Sequence, residues 1–150
     1  MFGLYKEEVL KIALHNPSIL AYNFETIYQK FIDIASLGFA KEEVIYMTIN
    51  LPTLYSLSFD NIKEKINFYE KIGLKRIALE YTKCLMQSID LSYARLKYLE
   101  SLGIFVDMSN CKQLFFDANY FELKYHITKE QLLSKYSYNK IDDKSLVLKK

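Results

Sequence analysis

The sequence predicts an all-α protein, an α-solenoid of about three and a half helical repeats with a divergent helical ending. Three observations predict it. The four glycines, Gly3, Gly38, Gly73 and Gly103, are spaced 35, 35 and 30 residues apart, and the two prolines, Pro17 and Pro52, are again 35 apart. Superposing residues 3–38 on 38–73 gives ten identities in 36 positions and lays GLYKEEV on GFAKEEV. Within each unit the apolar residues recur at i, i+3 and i+4, the period of a helix and not of a strand.

Each unit opens with a helix, at about 6–15 and 41–50, whose Lys-Glu-Glu start sets carboxylates in the first turn where the helix dipole favours them. Pro17 and Pro52 stop those helices, because proline lacks the amide and biases its predecessor out of αR. A short turn or 3₁₀ segment follows and is expected to bury Ile19/Leu20 in one unit and Leu54/Tyr55 in the other. Asn23 and Ser58 cap a longer second helix, with apolar stripes Phe24, Ile27, Phe31, Ile34 and Phe59, Ile62, Ile66, Tyr69. Gly38 and Gly73 close these helices where positive φ is wanted.

A third unit ends at Gly103 and is five residues shorter. Four of the five fall in its first helix (75–82), close to one turn, and leave its face unchanged. Lys83 takes the proline position, Leu85/Met86 the apolar turn, Asp90 the cap, and Leu96, Leu99 and Leu102 the stripe. Helices at about 109–116, 118–126 and 129–136 follow, the first capped by Ser109 and the last by a Thr128/Gln131 capping box. Residues 1–136 therefore read as one domain, in units of about 3–38, 38–73, 73–103 and a divergent 104–136, with a loosely held polar tail at 137–150.

The charge is unevenly spread. Residues 1–74 carry 7 Lys+Arg against 9 Asp+Glu, and residues 75–150 carry 13 against 9, so the halves stand at −2 and +4. Such a tilt steers an anionic partner toward one end, although the net charge of +2 is far below that of a dedicated nucleic-acid binder. No apolar run reaches the ~18 residues of a membrane span, and the start MFGLYKEEVL is no presequence. Cys84 and Cys111, without CxxC spacing or a neighbouring histidine, read as thiols of a reducing intracellular compartment. That means the cytoplasm for a bacterial protein, or an organelle only with a presequence these residues do not contain. His15 and His126 have no acid or nucleophile at characteristic spacing, and no phosphate-binding, zinc or calcium motif is present. No enzyme, catalytic residue, cofactor or metal is expected.

The string LGFAKEEVIYMTINLPTLYSLSFDNIKEKINFYEKIGL (37–74) resembles the repeat of the mitochondrial transcription termination factor (mTERF) family. It has the glycine junction, the Lys-Glu-Glu-Val helix start, the proline breaker, the Leu-rich turn and the capped second helix. Residues 5–38 match nearly as well, and 74–103 match mainly in the second helix. The resemblance implies a non-enzymatic solenoid that binds double-stranded DNA or structured RNA, in transcription or ribosome biogenesis, without a small-molecule substrate. The alternative reading is a solenoid scaffold that binds a protein partner.

Aligning the units yields one candidate surface. Eight residues before each closing glycine stand Lys30, Lys65 and Arg95, and stacked repeats would set them in a ladder suited to a phosphate backbone. Lys63, Lys75, Arg76 and Lys97 add positive charge beside it.

Overall fold

Gly38, Gly73 and Gly103 sit at φ of 104°, 85° and 81°, a region a Cβ disfavours, and each closes a helix as its spacing predicts. The structure, a computed structural model, describes residues 6–138 except 16, 52 and 75. Gly3, Pro52 and residues 139–150 of the expected tail lie outside the described residues. Every regular element described is helical, and no described helix is long and apolar enough to cross a membrane.

The first repeat is α1 (Lys6–His15), a 3₁₀ turn (Pro17–Ala21) and α2 (Phe24–Ala35). The second is α3 (Lys41–Asn50), a 3₁₀ turn (Leu54–Ser56) and α4 (Phe59–Lys71). The third is α5 (Ile77–Glu80), a 3₁₀ turn (Thr82–Met86) and α6 (Ile89–Ser101). A 3₁₀ turn (Cys111–Phe115) and α7 (Ala118–Tyr125) form the fourth, and α8 (Lys129–Lys135) follows.

One cap recurs before every second helix and supplies a common origin for counting. The side chains of Asn23, Ser58, Ser88 and Asp117 accept the amides of Thr26, Asn61, Leu91 and Tyr120 at 2.8, 3.1, 3.2 and 2.8 Å. Each such bond is worth about 1 kcal/mol. Ser88, not the expected Asp90, therefore caps α6. Ser109 caps nothing, because its amide and hydroxyl both donate to the Asp107 carboxylate. The expected helix at 109–116 is only the 3₁₀ turn, and that at 75–82 shrinks to the single turn of α5, which still buries Ile77 and Ala78. Leu20 and Met86, expected to be buried in their turns, are exposed, whereas Leu54, Tyr55 and Leu85 are buried.

The chain divides into two compact units, Met1–Ile66 with Ala78–Leu85, and Asn67–Ile77 with Met86–Lys150. In the first, α3 packs on α1, on α2 and on its own turn, around Ile12, Phe31, Ile34, Val44, Met47 and Leu54. In the second, α6 packs on α8 and on the turn Cys111–Phe115, around Phe68, Tyr69, Leu99, Leu114, Phe121 and Leu132. Each such side chain contributes about 1.5 to 3 kcal/mol by leaving water, which is how short helices with weak local preference hold. Tyr138, in the tail expected to be loose, sets its ring edge-on against Phe68 and Tyr93, with centroids 5.4 and 5.3 Å apart.

The ending is less divergent than its sequence suggests. His126 adopts φ 59°, the only non-glycine among the described residues at positive φ, and so fills the glycine position. From it, HITKEQL (126–132) lies on GFAKEEV (38–44). Ile127 and Leu132 are buried, as are Phe39 and Val44. The Gln131 side chain accepts the Thr128 amide at 2.9 Å, just as Glu43 accepts that of Ala40 at 2.8 Å. The expected Thr128/Gln131 capping box is present, and α8 is the opening helix of a further repeat.

Candidate nucleic-acid interface

The three ladder residues occupy one position, seven after the helix cap; Lys65 and Arg95 are buried and Lys30 is half-buried. Lys30 Nζ donates to the carbonyl of Leu57 at 3.3 Å. Lys65 Nζ donates to the carbonyl of Leu85 at 2.7 Å. One terminal nitrogen of Arg95 donates to the carbonyls of Leu114 and Phe116 at 2.8 and 2.6 Å. The acceptors share a position too. They lie one or three residues before the cap of the next repeat, within or just after the 3₁₀ turn, where the last carbonyls have no helical partner. Two of these contacts lie within the first compact unit and the Arg95 contact lies within the second.

The column is thus a junction between consecutive repeats and not a phosphate ladder. Lys65 is 7% exposed and Arg95 1%, so neither head group reaches a nucleic acid. A cation buried this way stays only with its donors engaged, since an unpaired one carries a desolvation penalty of several kcal/mol. Burial holds the Lys65 ammonium below its ordinary range, with the Cys84 thiol acting weakly the other way. Burial likewise pushes Arg95 down to about 10, opposed by Asp117, which leaves the guanidinium charged at neutral pH. Its planar face lies 4.5 Å from the Phe121 ring centroid, a cation–π contact that compensates part of the lost hydration. Gln87 donates to the same Leu114 carbonyl at 2.7 Å, so this acceptor is saturated.

The other basic candidates fare differently. Lys63 is exposed, its ammonium 5.9 Å from the Phe59 ring. Lys97 is half-buried, 3.5 Å from the Glu100 carboxylate and 5.7 Å from the Tyr93 ring. Arg76 is exposed, and Lys75 lies outside the described residues. His15 and His126 are exposed at helix ends, and no three His, Cys, Asp or Glu among the described residues come together as a metal site.

The left-handed His126 adds a member, Lys129, to a second basic column that otherwise follows the glycines. Three residues after three of the four left-handed junctions stands a cation, Lys41 after Gly38, Arg76 after Gly73 and Lys129 after His126, whereas Val106 follows Gly103; Lys6 follows Gly3 in the sequence. Lys41 is half-buried, and Arg76 and Lys129 are exposed. A cation at a helix start opposes the helix dipole and is disfavoured by about 0.3 to 1 kcal/mol.

The mTERF family model matches residues 1–115, which hold three complete repeats and the fourth turn. The chain belongs to the mTERF family. No curated protein and no solved structure matches it. In this mTERF chain the repeat continues past the matched segment, through α7 to α8.

Proposed function

We propose that this mTERF protein binds double-stranded DNA or structured RNA through cations that are exposed or half-buried, and carries no catalytic chemistry of its own. The observation that carries the reading is the recurrence of Lys41, Arg76 and Lys129 at one repeat position where helix physics disfavours positive charge. Lys63 and Lys97 are further phosphate contacts on second helices, each beside an aromatic ring. Lysine and arginine side chains neutralise phosphates without reading bases, which fits a binder that recognises shape and backbone. Family membership supports the same class of partner.

Anisotropy of a labelled duplex, titrated with the chain across a salt series, tests the reading. The logarithm of the binding constant should fall linearly with the logarithm of salt concentration, by roughly 0.9 for each phosphate neutralised. Absence of binding to duplex DNA and to an RNA stem-loop at low salt would sink it.

A further inference from the structure

Within the first compact unit a cleft of about 210 Å³ runs between Tyr46 and Asn50 of α3 and residues 79–83, which lead from α5 into its 3₁₀ turn. Of the side chains lining it Thr82 alone is buried, at 4% exposure, and its Oγ1 has no hydrogen-bond partner within the protein. A hydroxyl taken from water without a partner costs stability that a valine of the same shape would not. The repeat does not call for it either. Thr82 stands just before Lys83, which takes the proline position, and the residue just before Pro52 is Leu51, equally buried and wholly apolar. The space beside Thr82 is also many times the ~10–15 Å³ that seats one water.

The other groups around the cleft set the chemistry of what it takes. Asn50 spends its Nδ2 on the Tyr46 carbonyl at 2.8 Å, which leaves Oδ1 as an acceptor. The Glu80 carboxylate is exposed and pairs with no described cation. The rings of Tyr46 and Tyr81 line the cleft with electron-rich faces that attract positive charge. Lys83 is the one cation among the lining residues, and at an exposed position its long stem carries the ammonium into water. Acceptors and phenol rings thus prevail over donors, and they match a cation that bears several N–H groups. A guanidinium is that cation: planar and weakly hydrated, it stacks on an aromatic face while its fork of donors serves separate acceptors.

We propose that this cleft binds a guanidinium group, whose edge donates to Glu80, Asn50 Oδ1 and Thr82 Oγ1 and whose face lies against Tyr46. The site takes a cation and not a phosphate, so it is independent of the nucleic-acid reading. The same group is offered by an arginine side chain of a polypeptide and by a free small molecule, and the choice of probes separates these two sources.

Amide NMR of the whole chain tests this, with ethylguanidinium, its neutral isostere ethylurea and a Gly-Arg-Gly peptide each titrated into the millimolar range. Ethylguanidinium should shift the amides of Tyr46, Asn50, Glu80 and Thr82 saturably, and ethylurea should not. Tighter binding of the peptide assigns the group to a polypeptide, weaker binding to a free small molecule, and both support the site. Glu80→Gln, at an exposed position, should weaken binding roughly tenfold. Thr82→Val should weaken it roughly fivefold while the unliganded chain melts at or above the wild-type temperature, the opposite of what a hydroxyl serving the fold would give. Three results would each overturn the proposal: no saturable shift, an equal response to ethylurea, which marks a polar cleft that holds only water, or full-strength binding by either variant. A Thr82→Val chain that melts well below the wild type would overturn it as well.

Discussion

At Arg95 two carbonyls from the next repeat meet one nitrogen, whereas Lys65 meets a single carbonyl. Replacing Arg95 with Lys keeps the charge and loses half the anchorage, so urea unfolding should show a loss of about 1 to 2 kcal/mol. Arg95→Ala strands the Phe116 carbonyl, leaves the Leu114 carbonyl with Gln87 alone and opens a cavity, and should lose about 3 kcal/mol or more. The sequence displayed this column but not its direction, since a long cationic stem suits either a surface or a buried carbonyl. A signal was present nonetheless. One turn either side of Arg95 stand Leu91 and Leu99, and Lys65 lies between Ile62 and Tyr69, so both cations interrupt an apolar stripe instead of flanking it. Tyr55, in the turn of the second repeat, lies hydroxyl to hydroxyl with Thr48 at 3.1 Å, and burial pushes its phenol up to about 12. A folded-state value above the unfolded 10.0 means its contribution is complete below pH 10 and lost as pH rises through 12. That loss is on the order of 2 to 3 kcal/mol, and Tyr55→Phe should flatten the alkaline limb of a stability-versus-pH curve.

Helix closure was legible wherever glycine marked it and invisible where histidine took its place. Gly73 holds φ 85° with open space for at least 4 Å around the point a Cβ would occupy, so Gly73→Ala should suffer backbone strain alone, about 1 to 2 kcal/mol by denaturant unfolding. The reverse change at His126 should raise the melting temperature, since glycine relieves strain of up to about 1 kcal/mol at φ 59°. Helix boundaries in the first two repeats follow from caps and prolines that act locally. In the third repeat the proline and half the first helix are absent, and the 3₁₀ turn there is decided by packing of Cys84 and Leu85, which no local pattern announces. Ser109 shows the same limit: a good capping residue by type, it is taken by Asp107 two residues away.

For the whole molecule, the repeat explains both the cations that are hidden and those that are shown. Lys30, Lys65 and Arg95, seven residues after the first three caps, join neighbouring repeats, and a second set of cations recurs three residues after Gly38, Gly73 and His126. The two columns make opposite predictions, because one is buried against neighbouring carbonyls and the other stands at helix starts. Charge reversal at Lys65 or Arg95 should unfold the chain before any effect on binding can be read. Charge reversal at Lys41, Arg76 and Lys129 replaces a disfavoured sign by a favoured one at each helix start. The most direct test is therefore duplex binding by the Lys41→Glu, Arg76→Glu, Lys129→Glu triple variant at low salt, with thermal unfolding followed on the same sample. The account predicts at least a tenfold loss of binding, roughly what the removal of a few phosphate contacts implies, with a melting temperature equal to or above that of the wild type. Undiminished binding by a folded triple variant would contradict it.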